Sequence, residues 1–215
     1  MGAGDLGRRM AQIALSDPDW FDGPVITIVE PDPRWPDEFV VIAQRLQAAT
    51  TGQGVVRIDH IGSTSVPLLP AKDVIDVQIT VGEDDSLSRV ASALASRGWR
   101  TSATITRDHT VPGLPTAPAQ WRKAFLSEPE GERRVNVHVR VGGRANQRYA
   151  LLFRDFLRTH PATAGAYARV KEGLAALAPD TGSYADAKDP ACDLIYHAAE
   201  SWADEVGWDT PSDPP

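Results

Sequence analysis

Apolar and polar positions along the chain change rhythm several times, and each change predicts an element. "VVRIDHI", residues 55–61, and "DVIDVQITV", residues 73–81, are β-branched runs bounded by turn residues and read as strands. An earlier strand is expected over "VITIVE", residues 25–30. After "PDPRWPDE", Pro36 suits the first turn of a helix, with Asp37 and Glu38 at its positive end. Phe39, Ile42, Ala43 and Leu46 then recur at helical spacing. "GEDDSLSRVASALASRGW" predicts an amphipathic helix that starts acidic and stops at Gly98, and "WRTSATI" predicts another strand. Residues 107–116 read as loop. "WRKAFLSE" and "RRVNVHVRV", joined by "PEGE", read as a hairpin pair. From Ala145 the period becomes helical: "NQRYALLFRDFLRTH", then "PATAGAYARVKEGLAALA" opened by Pro161. A loop "PDTGSYADAKDP" and a last helix over residues 191–206 complete the chain.

This pattern predicts one α/β domain over residues 24–207. A small mixed sheet carries helices on one side, with a helical C-terminal extension packed across it. Residues 1–23 are expected to be a leader, with a short helix in "MAQIAL", and residues 208–215 a flexible tail. Composition fits a single packed domain: 215 residues, 42% of them hydrophobic. The sequence has no apolar run of about 18 residues and no basic-then-apolar start, so a cytoplasmic protein without membrane contact is expected. The net charge of −7 argues against broad nucleic-acid binding. Arg133, Arg134, Arg140, Arg144 and Arg148 cluster late in the chain, as a solvated face or as an anion site. The single cysteine, Cys192, excludes an internal disulfide framework and reads as a small core residue. "GAGDLG", residues 2–7, has dinucleotide-loop spacing but no strand before it, so that motif is rejected.

The candidate chemistry centres on "HIGSTSVPLLPAKDVIDVQI", residues 60–79. A Gly62-Ser63 turn precedes a strand that carries Asp76 near its middle. If both face one cleft, the pair could hold a phosphate and a metal. Strand alternation puts Asn136, His138 and Arg140 on one face of "VNVHVR". His138 and Asp76 could form a hydrogen-bonded pair, and Arg140 could take a phosphate in two-pronged fashion. His60 is expected to line the cleft, and Lys72 to meet an anionic ligand or to be solvated. Arg154 either points into the cleft or pairs near Asp155 or with Glu172. His109, His160 and His197 read as incidental. Ser63 as a nucleophile would need a base, which only His60 is near enough in sequence to supply. The tryptophans read as packing, though one could stack on a base.

Six stretches, "IVEPDPRWPDEF", "HIGSTSVP", "LPAKDVID", "VNVHVR", "YALLFRDFLRTHP" and "YADAKDP", occur in an order that resembles the GrpB family. The resemblance covers about residues 25 to 200 and implies a nucleotidyltransferase-like fold. It implies phosphate contacts at the turn (Gly62, Ser63, Thr64). It also implies carboxylates at i and i+2 of the next strand and a third on a neighbouring strand, together binding two divalent ions, Mg2+ or Mn2+. Asp76 fits the first position, as metal ligand or catalytic acid, with His138 and His60 as further catalytic candidates. The i+2 position holds neutral Gln78, and Asp59 or Asp73 is the available substitute. Resemblance also singles out Tyr184 and Lys188, in a loop that closes the pocket or caps the last helix. The expected ligand is a nucleotide or other phosphate-bearing small molecule, with possible nucleotidyl transfer. The alternative is a non-catalytic accessory module for a coenzyme A pathway enzyme or for protein folding. "VNVHVR" is similar to the subgroup fused to dephospho-CoA kinase, yet the sequence has no P-loop and so no kinase site of that kind. One departure stands out: Leu68 and Leu69 follow Val66-Pro67 where family members usually have glycine then leucine. Either that turn never needed glycine, or the pocket is altered.

Overall fold

The computed structural model describes residues 26–210. The expected leader with its "MAQIAL" helix, the rejected loop at residues 2–7 and the tail beyond residue 210 lie outside the described residues. The elements are α1 (Trp35–Ala49), β1 (Val55–Ile61), β2 (Ile75–Val81), α2 (Asp85–Ala95), β3 (Arg100–Thr101), β4 (Ala124–Ser127), β5 (Val135–Val141), α3 (Ala145–Thr159), α4 (Pro161–Leu177) and α5 (Thr181–Val206). The five strands form one sheet in the order β1-β2-β5-β4-β3. β2 and β5 run parallel, and the other neighbours are antiparallel, so the sheet is mixed as expected.

Strict alternation gives the sheet two unlike faces. Ile75, Val77, Ile79 and Val81 of β2 and Val135, Val137, Val139 and Val141 of β5 point one way and are buried. They meet Trp35, Ile42 and Leu46 of α1 and Leu87, Val90 and Leu94 of α2 in one aliphatic core. The other face carries Asp76, Gln78, Asn136, His138 and Arg140, with Asp59 of β1 opposite Gln78. Helices α3, α4 and α5 cover it and close a second core around Leu152, Phe156, Tyr167 and Tyr196. The expected architecture, helices on one side and a helical extension across the other, is the one found.

Several expectations are corrected. Residues 26–30 form no strand, only a single bridge between Val29 and Ala71. "WRTSATI" contributes just Arg100–Thr101 to the sheet edge. "PDTGSYADAKDP" is helix rather than loop. Asp180 caps α5 by accepting from the Ser183 N–H at 2.8 Å, and the helix continues through Pro190. The proline misled because its missing N–H ordinarily ends a helix, whereas here packing on α3 and α4 holds the segment. Trp208 belongs to the packed body. Its indole N–H donates to Asp155 at 3.2 Å, and the Arg148 guanidinium lies 5.0 Å from its ring. The late arginines form neither a bare solvated face nor a common anion site: Arg133 pairs with Asp73, Arg140 with Asp108, Arg144 with Asp84 and Arg148 with Glu200. Leu68 takes the left-handed backbone conformation, φ 62°, with its side chain 88% exposed. The turn therefore does need a positive φ, and leucine adopts it at a strain cost of about 1 kcal/mol. Among the described residues no helix is long and apolar enough to cross a membrane.

Candidate functional site

Between the polar face of the sheet and the helical layer lies a cavity of about 850 Å3. Asp76, His138 and Arg140 reach it from β2 and β5, and Lys123 reaches it from just before β4. Gly62 and Ser63 line it from the end of β1. Tyr149, Ala150 and Phe153 of α3 and Lys188 of α5 complete the wall. Ser63, Asp76, His138, Arg140 and Lys188, singled out in the sequence, are thus brought together.

Gly62 makes this convergence possible. Its backbone sits at φ 69°, and a Cβ there would collide with the Asp76 carboxylate. The turn and the acid are therefore in direct contact. Ser65 fixes the turn by donating its hydroxyl to the Gly62 carbonyl at 2.6 Å. Asp76 accepts from the Asn136 amide at 2.8 Å, and its side chain keeps 28% exposure toward the cavity. Burial pushes its carboxyl up, but His138, 3.9 Å away, and Asn136 outweigh that and hold it below the usual value.

His138 is held in one protonation state. Lys123 Nζ and Arg140 Nη2 each lie 3.2 Å from its Nδ1. Both are donors, so Nδ1 accepts, and this bonding pattern assigns the ring proton to Nε2, on the Asp76 side. Burial, with Lys123 and Arg140 adding to it, lowers this imidazole to about 4. It is neutral at neutral pH. The two cations are balanced by Asp108, which accepts from Lys123 at 2.6 Å, from Arg140 twice at 2.9 Å and from Asn146 at 3.0 Å. Burial raises the Asp108 carboxyl, yet Arg140 and Lys123 hold it well below the carboxylate range. Arg140 also donates to Gln78 Oε1 at 2.7 Å, and the Gln78 amide donates to the Gln147 carbonyl.

These residues do not fit a two-cation centre. Asp76 is the one acid at the expected strand positions. The Gln78 oxygen is committed to Arg140, and the accepting nitrogen of His138 faces two cations. Neither substitute acid helps. Asp59 is fully buried between Arg57, at 2.5 Å, and Arg154, at 3.5 Å. Asp73 accepts from the Trp35 indole and pairs with Arg133, away from the cavity. Among the described residues no three His, Cys, Asp or Glu side chains gather as a metal ligand set.

Other sequence candidates lie elsewhere. His60 is on the aliphatic side of the sheet, stacked on Phe39 at 4.7 Å and bonded to Thr64 Oγ1 at 3.0 Å. His60 therefore does not serve Ser63 as a base. Thr64 is buried and donates to the Val74 carbonyl. Arg154 pairs with Asp155 at 2.7 Å and donates to the His60 carbonyl, outside the cavity lining. Lys72 lines a separate recess of about 280 Å3. Tyr184 is buried with Lys72 5.8 Å and Lys188 6.0 Å from its ring centre, so it supports the lysines rather than lining the main cavity.

Sequence reasoning missed Asp108, Lys123 and the place of His109. Lys123 carried a signal, because it shares strand parity with Phe125 and Ser127 on the side that pairs with His138 and Asn136. Asp108 carried none, lying in an aperiodic loop. His109 lines the cavity, its Nε2 2.8 Å from Asp193 and its Nδ1 3.6 Å from Asp189.

Comparison with known proteins places the chain. The family model described as GrpB protein matches residues 25–198. A dephospho-CoA kinase of Mycobacterium leprae is 36% identical over 197 residues, 84% of this chain and 48% of that protein. The chain spans about half the length of the dephospho-CoA kinases it matches. A UPF0157 protein of Deinococcus radiodurans is 34% identical over 81% of this chain and 83% of its own length. The crystal structure of conserved protein GrpB from Enterococcus faecalis superposes with a TM-score of 0.65 at 27% identity, covering 82% of this chain and 99% of that one. Cid1 in complex with its short product ApU aligns with a TM-score of only 0.44 at 12% identity, over 66% of this chain and 42% of its own, a likeness too slight to speak of activity. With the model match spanning most of its length and the order of its motifs intact, the chain belongs to the GrpB family.

Proposed function

We propose that the cavity binds a nucleotide or another small molecule carrying phosphate. One observation carries the proposal: Ser63, Asp76, His138, Arg140 and Lys188 meet in a single space of about 850 Å3. That volume lies within the range of small-molecule sites, roughly 300–1,000 Å3. The phosphate lies between the Ser63 hydroxyl and the Lys188 ammonium. The neutral His138 donates from Nε2, and Asp76 accepts from a ligand hydroxyl. Tyr149, stacked on Phe153 at 6.0 Å and on Tyr196 at 4.4 Å, offers a flat wall for a base. Equilibrium dialysis against a nucleotide panel tests this. Ala150→Trp, which fills the cavity without touching a polar group, should abolish binding, and Ser63→Ala should weaken it several-fold. Binding that survives Ala150→Trp rejects the site.

The incomplete carboxylate set favours binding over nucleotidyl transfer. The half-length match to proteins named dephospho-CoA kinase supports a second part of the proposal: a cytoplasmic module that accompanies a coenzyme A pathway enzyme. Pyrophosphate release that requires Asp76 would overturn the non-catalytic form of this reading.

A further inference from the structure

We infer that the cavity takes its phosphate ligand without a divalent cation, with fixed side-chain cations supplying the charge that metals supply in two-cation sites. The inference rests on the proposed function and deepens it. Lys123, Arg140 and Lys188 line the space beside Asp76 and Asp108 on the sheet side, with Arg107 nearby and Asp180, Asp186 and Asp189 on the α5 side. Asp108 is spent on Lys123 and Arg140, which it holds at 2.6 and 2.9 Å. A dication bridging Asp76 to a phosphate would face Lys188 and the Lys123–Arg140 pair, whose two charges Asp108 balances only in part, with Asp76 as its carboxylate ligand from the strands. The positions that would add ligands are closed. Gln78 Oε1 is bonded to Arg140, and Asn136 presents its amide N–H to Asp76 rather than its oxygen. The other lining acids give no alternative: Asp180 caps α5, Asp189 flanks His109, and with Asp186 they gather no ligand set among the described residues. An anion finds its counter-charge in Lys188. Lys188 stands over the Tyr184 ring, 6.0 Å from its centre, and this packing orients its ammonium without neutralising it.

The test is calorimetric titration of the full chain, stripped with EDTA, with ATP, GTP, CTP and UTP, each in the presence and absence of excess Mg2+. The expected result is that at least one nucleotide binds without Mg2+, and that Mg2+ changes its affinity by less than about threefold. Asp76→Asn should weaken binding to the same extent with and without Mg2+. Lys188→Met should lose about tenfold or more, and Lys188→Arg should restore most of it. Binding that requires Mg2+, or a Mg2+ enhancement that Asp76→Asn removes, overturns the inference and leaves the proposed function standing. Failure of all four nucleotides in both conditions overturns the proposed function, and the inference with it.

Discussion

The two faces of the sheet are built from the same strands and have opposite designs. On one, aliphatic side chains of β2 and β5 pack against α1 and α2, and shape and burial alone hold them. On the other, nearly every side chain is polar, and each buried charge is matched by a named partner. Asp59 is held by Arg57 and Arg154, and Asp108 by Lys123 and Arg140. The first face can lose a methylene and relax. The second cannot lose one partner without stranding another. That face, partly uncovered where the helices stand off from it, is also the one that can meet a ligand.

Single substitutions sharpen this contrast. Asp59→Ala removes the anion between two buried guanidiniums and should cost the most, about 4 kcal/mol, read as a loss of denaturant midpoint. Ile79→Ala on the aliphatic face should cost about 3 kcal/mol, by transfer and cavity terms. If Asp59→Ala proves the milder of the two, the buried pairs are not what holds the polar face.

Acid separates the faces in a second way. His60 on the aliphatic side and His138 on the polar side are both lowered to about 4, His60 by burial with Arg158 and Arg154 adding to it. Their unfolded value is near 6.5, so between pH 6.5 and 4 the unfolded chain binds more protons. Stability should thus fall as pH drops through that window, by on the order of 3 kcal/mol for each imidazole. Asp76 and Asp108, whose folded values are depressed, stabilise above their ordinary value and add their loss only as the pH falls below it. Chemical denaturation across pH should show His138→Gln flattening the upper window. An unchanged slope would mean that His138 is not held neutral.

The aliphatic face was legible because strict alternation in "IDVQITV" and "VNVHVRV" needs only short-range pattern. The same alternation put Asn136, His138 and Arg140 on one face of their strand, and the register of β2 on β5 brings Asp76 to that side. What was not legible depended on contacts distant in sequence. Asp108 joins the site from a loop with no period. His60 obeys strand parity but faces the aliphatic side because β1 pairs Ile61, not His60, with Asp76. Tyr184 and Lys188 were named but placed in a loop because Pro190 resembles a stop, while the Asp180 cap that starts their helix was present in the sequence.

The smallest expected effect concerns neither face. Leu68→Gly relieves a positive φ in an exposed turn and, after the entropy glycine adds to the unfolded chain, should raise stability by about 0.5 kcal/mol, seen as a slightly higher melting temperature. No gain would show that the turn relaxes around leucine without strain.

The most direct measurement is a crystal structure of the chain with a bound nucleotide. The account predicts the phosphates between Ser63 and Lys188, with His138 Nε2 within hydrogen-bonding distance of the ligand. A nucleotide seated instead in the smaller recess beside Lys72 and Arg134, with the main cavity empty, would contradict it.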